Sequence, residues 1–205
     1  MSTTLQRTRT AAGRIAGLAA GGVALVALAA APAGAHTGHP LDGMSDGLAH
    51  PLFGPDHLLA MVAVGVLAAC ATDRRVRWAT PIAFVVGMVG GAALGFGGVE
   101  VPGVELLIAA SVMVLGGLIA FGVGDKALWL PVVAAAMGAV HGHAHGAELP
   151  DAAVPLAYAA GFVIATAALH AAGAGVGTAL RRSELGRQIA GAALAVGGAF
   201  FLLAG

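Results

Sequence analysis

Apolar and polar positions along this chain fall into blocks rather than alternating. From residue 55 onward, six runs of mostly Ala, Val, Leu, Ile and Gly occupy 55–72, 78–98, 104–122, 128–147, 153–176 and 187–204, and short stretches between them hold charges, prolines and turn residues. Each run is close to the ~17 to 25 residues that a helix rising ~1.5 Å per residue needs to cross ~30 Å of hydrocarbon. None shows the period of two expected of a barrel strand, and the glycine and alanine load would weaken a barrel wall. The pattern predicts an all-α fold, a polytopic membrane bundle of six transmembrane helices.

An earlier apolar run, Ile15 to Ala30, has different flanks. Arg7, Arg9 and Arg14 precede it, and Ala33-Gly34-Ala35 follows with the small side chains that suit signal peptidase. Residues 1–35 are therefore read as a cleaved signal peptide, 36–54 as a periplasmic N-terminal segment, and 55–205 as the six-helix transmembrane domain. An uncleaved first span is the alternative, disfavoured because no stop-transfer charge follows. Arg74, Arg75 and Arg77 lie between the first two spans, Lys126 between the third and fourth, and Arg181, Arg182 and Arg187 between the last two. All fall on one side, which the positive-inside rule makes the cytoplasmic face of a bacterial inner membrane. Both termini of the mature chain are then expected in the periplasm.

Composition sharpens this picture. The chain is 59% apolar and 10% charged, with a mean hydropathy of +0.91, far from the usual soluble domain. A formal net charge of zero and no long basic tract argue against a nucleic-acid partner, which takes clustered Lys and Arg. The 33 glycines suit membrane helices that approach closely, as do the spacings Gly87-x3-Gly91 and Gly191-x3-Ala195. The single cysteine, Cys70, is read as packing. No Walker motif occurs, so ATP could drive the protein only through another subunit.

The polar residues that remain gather at one side of the predicted membrane. The stretch HPLFGPDHLLAM puts His50 just ahead of the first span and Asp56 and His57 in its first turn, after Pro55. In the fourth span, MGAVHGHAHGAELP spaces His141, His145 and Glu148 at i, i+4 and i+7, on one helical face. His143 points about 200° from His141 on an ideal helix and is a poor candidate. Glu105 opens the third span. Neutral imidazole is a borderline ligand for Ni, Co, Cu and Zn, and carboxylates add charge balance without the tight grip of thiolates. A site that must release its ion should have this mixture. Imidazole must be neutral to ligate, so binding is expected to weaken in acid, through an unperturbed pKa of ~6.5. His36 and His39, in HTGHP, could capture an ion at the new N-terminus or belong to a mobile leader. His170, in the cytoplasmic half of the fifth span, is either a packing residue or a relay on an ion path. Asp56 has a second reading too, as a cap for the amides of its own helix.

The two histidine motifs, the GVELLIAASVMVLG segment and the leader together resemble the HupE/UreJ family of nickel permeases associated with hydrogenase and urease maturation. The resemblance covers His36 to Gly205 and implies secondary or passive uptake of Ni(II), sometimes Co(II), from periplasm to cytoplasm. It implies that His50, Asp56 and His57 form a first metal motif, that His141, His145 and Glu148 form a second, and that Glu105 is the acidic residue of the third span. No tightly bound cofactor is expected, no enzymatic activity, and no partner beyond the lipid bilayer and the metal cargo, with Cu and Zn as alternative cargoes. Three rival classes use the same side chains. An intramembrane zinc hydrolase would take Glu105 or Glu148 as general base. A haem protein would use His141 and His170 as axial ligands. A membrane metal sensor would bind without moving its ion.

Overall fold

The computed structural model describes residues 43–123, 127–149 and 154–204. The signal-peptide reading of residues 1–35, the candidate ligands His36 and His39, and Lys126 lie outside the described residues. Among those described, the chain forms seven helices and no strand: α1 Met44–Phe53, α2 Pro55–Cys70, α3 Arg74–Phe96, α4 Val104–Ala120, α5 Leu130–Ala147, α6 Pro155–Leu180 and α7 Glu184–Ala204. Helices α2 to α7 fall on the six apolar runs, with ends displaced by a few residues. Asp73 explains the early start of α3, because its carboxylate accepts the Arg75 N–H at 2.7 Å and caps the helix ahead of the apolar run.

Helix α1 lies in the segment ahead of the first apolar run, where hydropathy gives no sign of it. It contains Pro51, yet Gly54 rather than the proline ends it. Gly54 precedes Pro55, whose ring disfavours helical geometry in the preceding residue, and adopts an extended conformation. The chain turns 87° there into α2. Pro55 then opens α2 at a position where its missing N–H costs nothing.

Helices α3, α6 and α7 are each long and apolar enough to cross a bilayer, α1 and α2 reach that measure only as a bent pair, and α4 is a shorter apolar helix. Large apolar side chains such as Trp78, Ile82, Val86, Val132, Leu156 and Val196 are exposed. An outer surface of this kind suits lipid rather than water, and the protein is a membrane protein.

Helix α2 is the centre of the bundle, buried along most of its length from His57 to Ala69. Around it the helices meet through glycine. On α3, Gly87, Gly91 and Gly95 recur every fourth residue, and on α5 so do Gly138, Gly142 and Gly146. A Cβ at Gly91 would strike the Ala139 carbonyl, one at Gly138 the Phe84 carbonyl, and one at Gly142 the Met88 carbonyl. The two backbones are therefore in direct contact, as small residues allow where no hydrophobic force presses helices together. Gly116, Gly191 and Gly198 join α4 to α7 in the same way, and Gly65 and Gly173 join α2 to α6. The sulfur of Cys70 packs 3.8 Å from the Gly177 carbonyl at that seam, as a packing role requires.

Candidate metal centre

The first turn of α2 sets one histidine. Asp56 Oδ1 accepts the His57 backbone N–H at 2.8 Å and lies 3.0 Å from His57 Nδ1. A carboxylate only accepts here, so the proton is on Nδ1 and the lone pair on Nε2. That Nε2 is buried and has no hydrogen-bond partner. Asp56 thus satisfies an amide at the start of its own helix, as its capping reading expects, and it also orients the His57 ring, an arrangement familiar behind metal-binding imidazoles.

Helix α5 sets two more. His141 Nδ1 donates to the Met137 carbonyl at 2.9 Å, which again leaves Nε2 as the lone-pair nitrogen, buried and without a partner. His145, one turn on, is wholly buried, and neither of its nitrogens is paired. Its ring stacks on Phe162 at 5.4 Å and 21°. The bend between α1 and α2 brings in the fourth, His50, whose Nε2 lies 3.0 Å from Glu148 Oε2 at the end of α5.

These four rings form one cluster from three helices. Centroids of His50 and His145 are 4.8 Å apart, His57 and His145 4.8 Å, His57 and His141 5.1 Å, and His50 and His57 6.4 Å. Among the described residues no three His, Cys, Asp or Glu side chains are arranged around one point as metal ligands. Unpaired buried nitrogens are uncommon and each costs about 1 to 3 kcal/mol. Finding them at His57, His141 and His145 together fits a site shaped for a cation.

Other candidates fall differently. Glu105, in the first turn of α4, is exposed and makes no ion pair with the cluster, although it lies within electrostatic range of His57, Asp56 and Glu148. His143 turns away, its Nε2 donating to the Val99 carbonyl at 2.6 Å. His170 lies deeper, with Phe84 between it and His141, the phenyl centroid 5.2 Å from one imidazole and 5.5 Å from the other. That packing leaves no room for a macrocycle between them and removes the haem reading.

The sequence profile described as HupE / UreJ protein matches residues 23–201. The chain belongs to the HupE/UreJ family. It is similar to Protein HupE of Rhizobium leguminosarum bv. viciae, with 43% identity over 172 residues, covering 82% of this chain and 89% of that one. No solved structure matches the chain.

In this HupE/UreJ chain, α6 adds Tyr158, Phe162 and Thr166, which no motif marks, to His170. Tyr158, Phe162, Thr166 and His170 recur every fourth residue and are all buried. Tyr158 faces His50 at 6.0 Å, Phe162 stacks on His145, and His170 meets Phe84. The Thr166 hydroxyl lies 3.3 Å from Met61 Sδ and 3.5 Å from Met88 Sδ, tying α6 to α2 and α3. The spacing of four was visible in the sequence, but only His170 stood out from an apolar span.

Proposed function

We propose that the protein is a secondary permease that carries a divalent transition metal, Ni(II) foremost, from periplasm to cytoplasm across the bacterial inner membrane, through six spans formed by α2 to α7. The observation that carries this reading is the group of unpaired imidazole nitrogens at His57, His141 and His145, held at one end of the bundle and joined by the His50–Glu148 pair. Membership of the HupE/UreJ family supports it. The arginines support the direction: Arg77 and Arg181 border the same cavity at the far end of α2 and α6, where the positive-inside rule puts the cytoplasm.

The ion sheds water onto His50, His57 and His145, with Asp56 orienting the His57 ring and Glu148 balancing charge. It then moves to His141, one turn deeper. Glu105 acts from its distance as a fixed negative charge at the mouth. An inward-negative potential favours a divalent cation by roughly 4.6 kcal/mol per 100 mV when both charges cross the full field, so accumulation needs no second ion.

The test is uptake of radioactive nickel into sealed proteoliposomes, with cobalt, zinc and copper as competitors and with His57→Ala and His145→Ala beside the wild type. Saturable flux lost in both variants is expected. Tight binding with no flux would point to a sensor, and hydrolytic turnover in detergent to the intramembrane hydrolase.

A further inference from the structure

Among the buried, unpaired nitrogens that the transport reading leaves unused is one on α6. His170 is 6% exposed, and its Nε2 is buried without a hydrogen-bond partner, the same condition found at His57 and His141. It stands at the inner end of the α6 stripe, four residues beyond Thr166. One turn toward the cluster, that hydroxyl gathers the Met61 and Met88 sulfurs. A single phenyl ring, Phe84, separates His170 from His141.

His170 also borders a cavity of about 530 Å³ between α2, α3 and α6, lined by Gly65, Ala68, Pro81 and Ala171, with Arg77 and Arg181 at its far end. Trp78 and Ile82, exposed on the bundle surface, are part of the same wall. Arg77 is held there, its Nη2 donating to the Ala71 carbonyl at 2.7 Å. Gly65 brings α2 against the backbone of His170 itself, since a Cβ at Gly65 would strike the His170 carbonyl. The ring is therefore placed between the packed core and this cavity, which opens on the outer surface of the bundle beside Trp78 and Ile82.

We infer that His170 is an inner station for the same divalent metal, taking the ion from His141 past Phe84 and the Met61–Met88 pair and passing it toward the end of the bundle marked by Arg77 and Arg181. The proposal rests on the transport reading. An imidazole without carboxylate support suits a transient stop, because a lone neutral nitrogen binds more weakly than the charge-balanced cluster outside. Thioether sulfurs on the way are soft, polarisable surfaces that a borderline cation can pass without being held.

Two measurements on the full-length protein test it. The first compares nickel binding in detergent with nickel flux in proteoliposomes for His170→Ala and His170→Gln. Flux is expected to fall about tenfold or more in both, while affinity at the outer cluster stays within about twofold. The second places His170→Cys in a Cys70→Ser background and looks for a sulfur-to-nickel charge-transfer band on loading, a signature that a packing residue would not give. Flux within about twofold of wild type in His170→Ala, or no band in the folded His170→Cys protein, overturns the proposal. A wild-type protein that binds nickel without moving it would overturn the transport reading instead, and a band at position 170 would then still report metal reaching that point.

Discussion

Helix α5 has two faces, and they solve opposite problems. One face is Gly138, Gly142 and Gly146, which carry no side chain and lie directly on the α3 backbone. The other is His141 and His145, on which His141 Nε2 and both nitrogens of His145 are buried and unpaired. A helix cannot easily carry the second face without the first. Leaving three or more buried nitrogens without partners costs several kcal/mol in all, and in a loosely packed helix the rings would rotate to find carbonyls or water. Backbone-to-backbone contact with α3 fixes the rotation of α5 about its axis and so holds the rings on the α2 side. Rigidity on the glycine face preserves reactivity on the histidine face.

The largest effect expected from breaking this comparison is on the glycine side. Gly142→Leu drives a side chain into the Met88 backbone, which neither helix can move aside without losing the whole seam. Destabilisation of about 3 kcal/mol or more is expected, read as loss of monodisperse folded protein in detergent, with nickel binding lost alongside. A folded Gly142→Leu protein with intact binding would show that the seam does not position the rings.

On the histidine face the expectation is reversed for stability. His145→Leu keeps most of the volume against Phe162 while removing two unpaired nitrogens. Apolar replacement of unsatisfied polar groups is neutral to stabilising, so thermal unfolding of the metal-free protein should stay level or rise, by about 1 kcal/mol. Nickel affinity should fall on the order of 100-fold, measured by isothermal titration at neutral pH. Function and stability would then separate at one position. A variant that loses both together would mark His145 as a structural residue.

Asp56→Asn sharpens the same comparison with a smaller change. Asparagine still accepts the His57 backbone N–H, so the start of α2 should hold, with stability reduced by less than about 1 kcal/mol. The charge that polarises the His57 ring is gone, and nickel affinity should fall about tenfold. Equal affinity in the two proteins would mean that capping alone explains the aspartate.

How much of this was legible in the sequence depends on what each feature needs. The six apolar runs were readable because length and hydropathy are local, and α2 to α7 fall on them. Helix α1 was not, because it lies ahead of the apolar runs in a segment that holds Gly43, Pro51 and Gly54. It forms where Gly47 lies against the Tyr158 backbone and Gly161 against Met44, contacts more than a hundred residues away in sequence. The motif residues His50, His57, His141 and His145 were all found, since ionisable groups inside apolar runs stand out. Their gathering at one end was read as well, but the contact of His50 with His145 was not, because it depends on the 87° bend at Gly54. Nor were Phe162 and Thr166 found, since an aromatic and a hydroxyl in an apolar span carry no signal until their neighbours are known.

His143 gives the smallest effect and the most specific test of the two faces. Two residues from each of its neighbours in HGHAH, it lies on the far side of the glycine ridge and donates to the Val99 carbonyl beyond the end of α3. Its work is to tie the end of α5 to the α3–α4 connection. His143→Ala should cost about 1 to 2 kcal/mol, the small end of the range for a buried group, because Val99 is itself exposed and its carbonyl can turn to water or a lipid headgroup. Nickel affinity and flux should stay within about twofold of wild type. The same substitution at His141 should remove binding while the seam with α3 survives, since Gly138 and Gly142 are untouched. If His143→Ala instead abolished binding in a folded protein, metal would have to be held from both sides of α5. The separation of a structural face from a reactive one would then fail at the residue where sequence and geometry agree most closely.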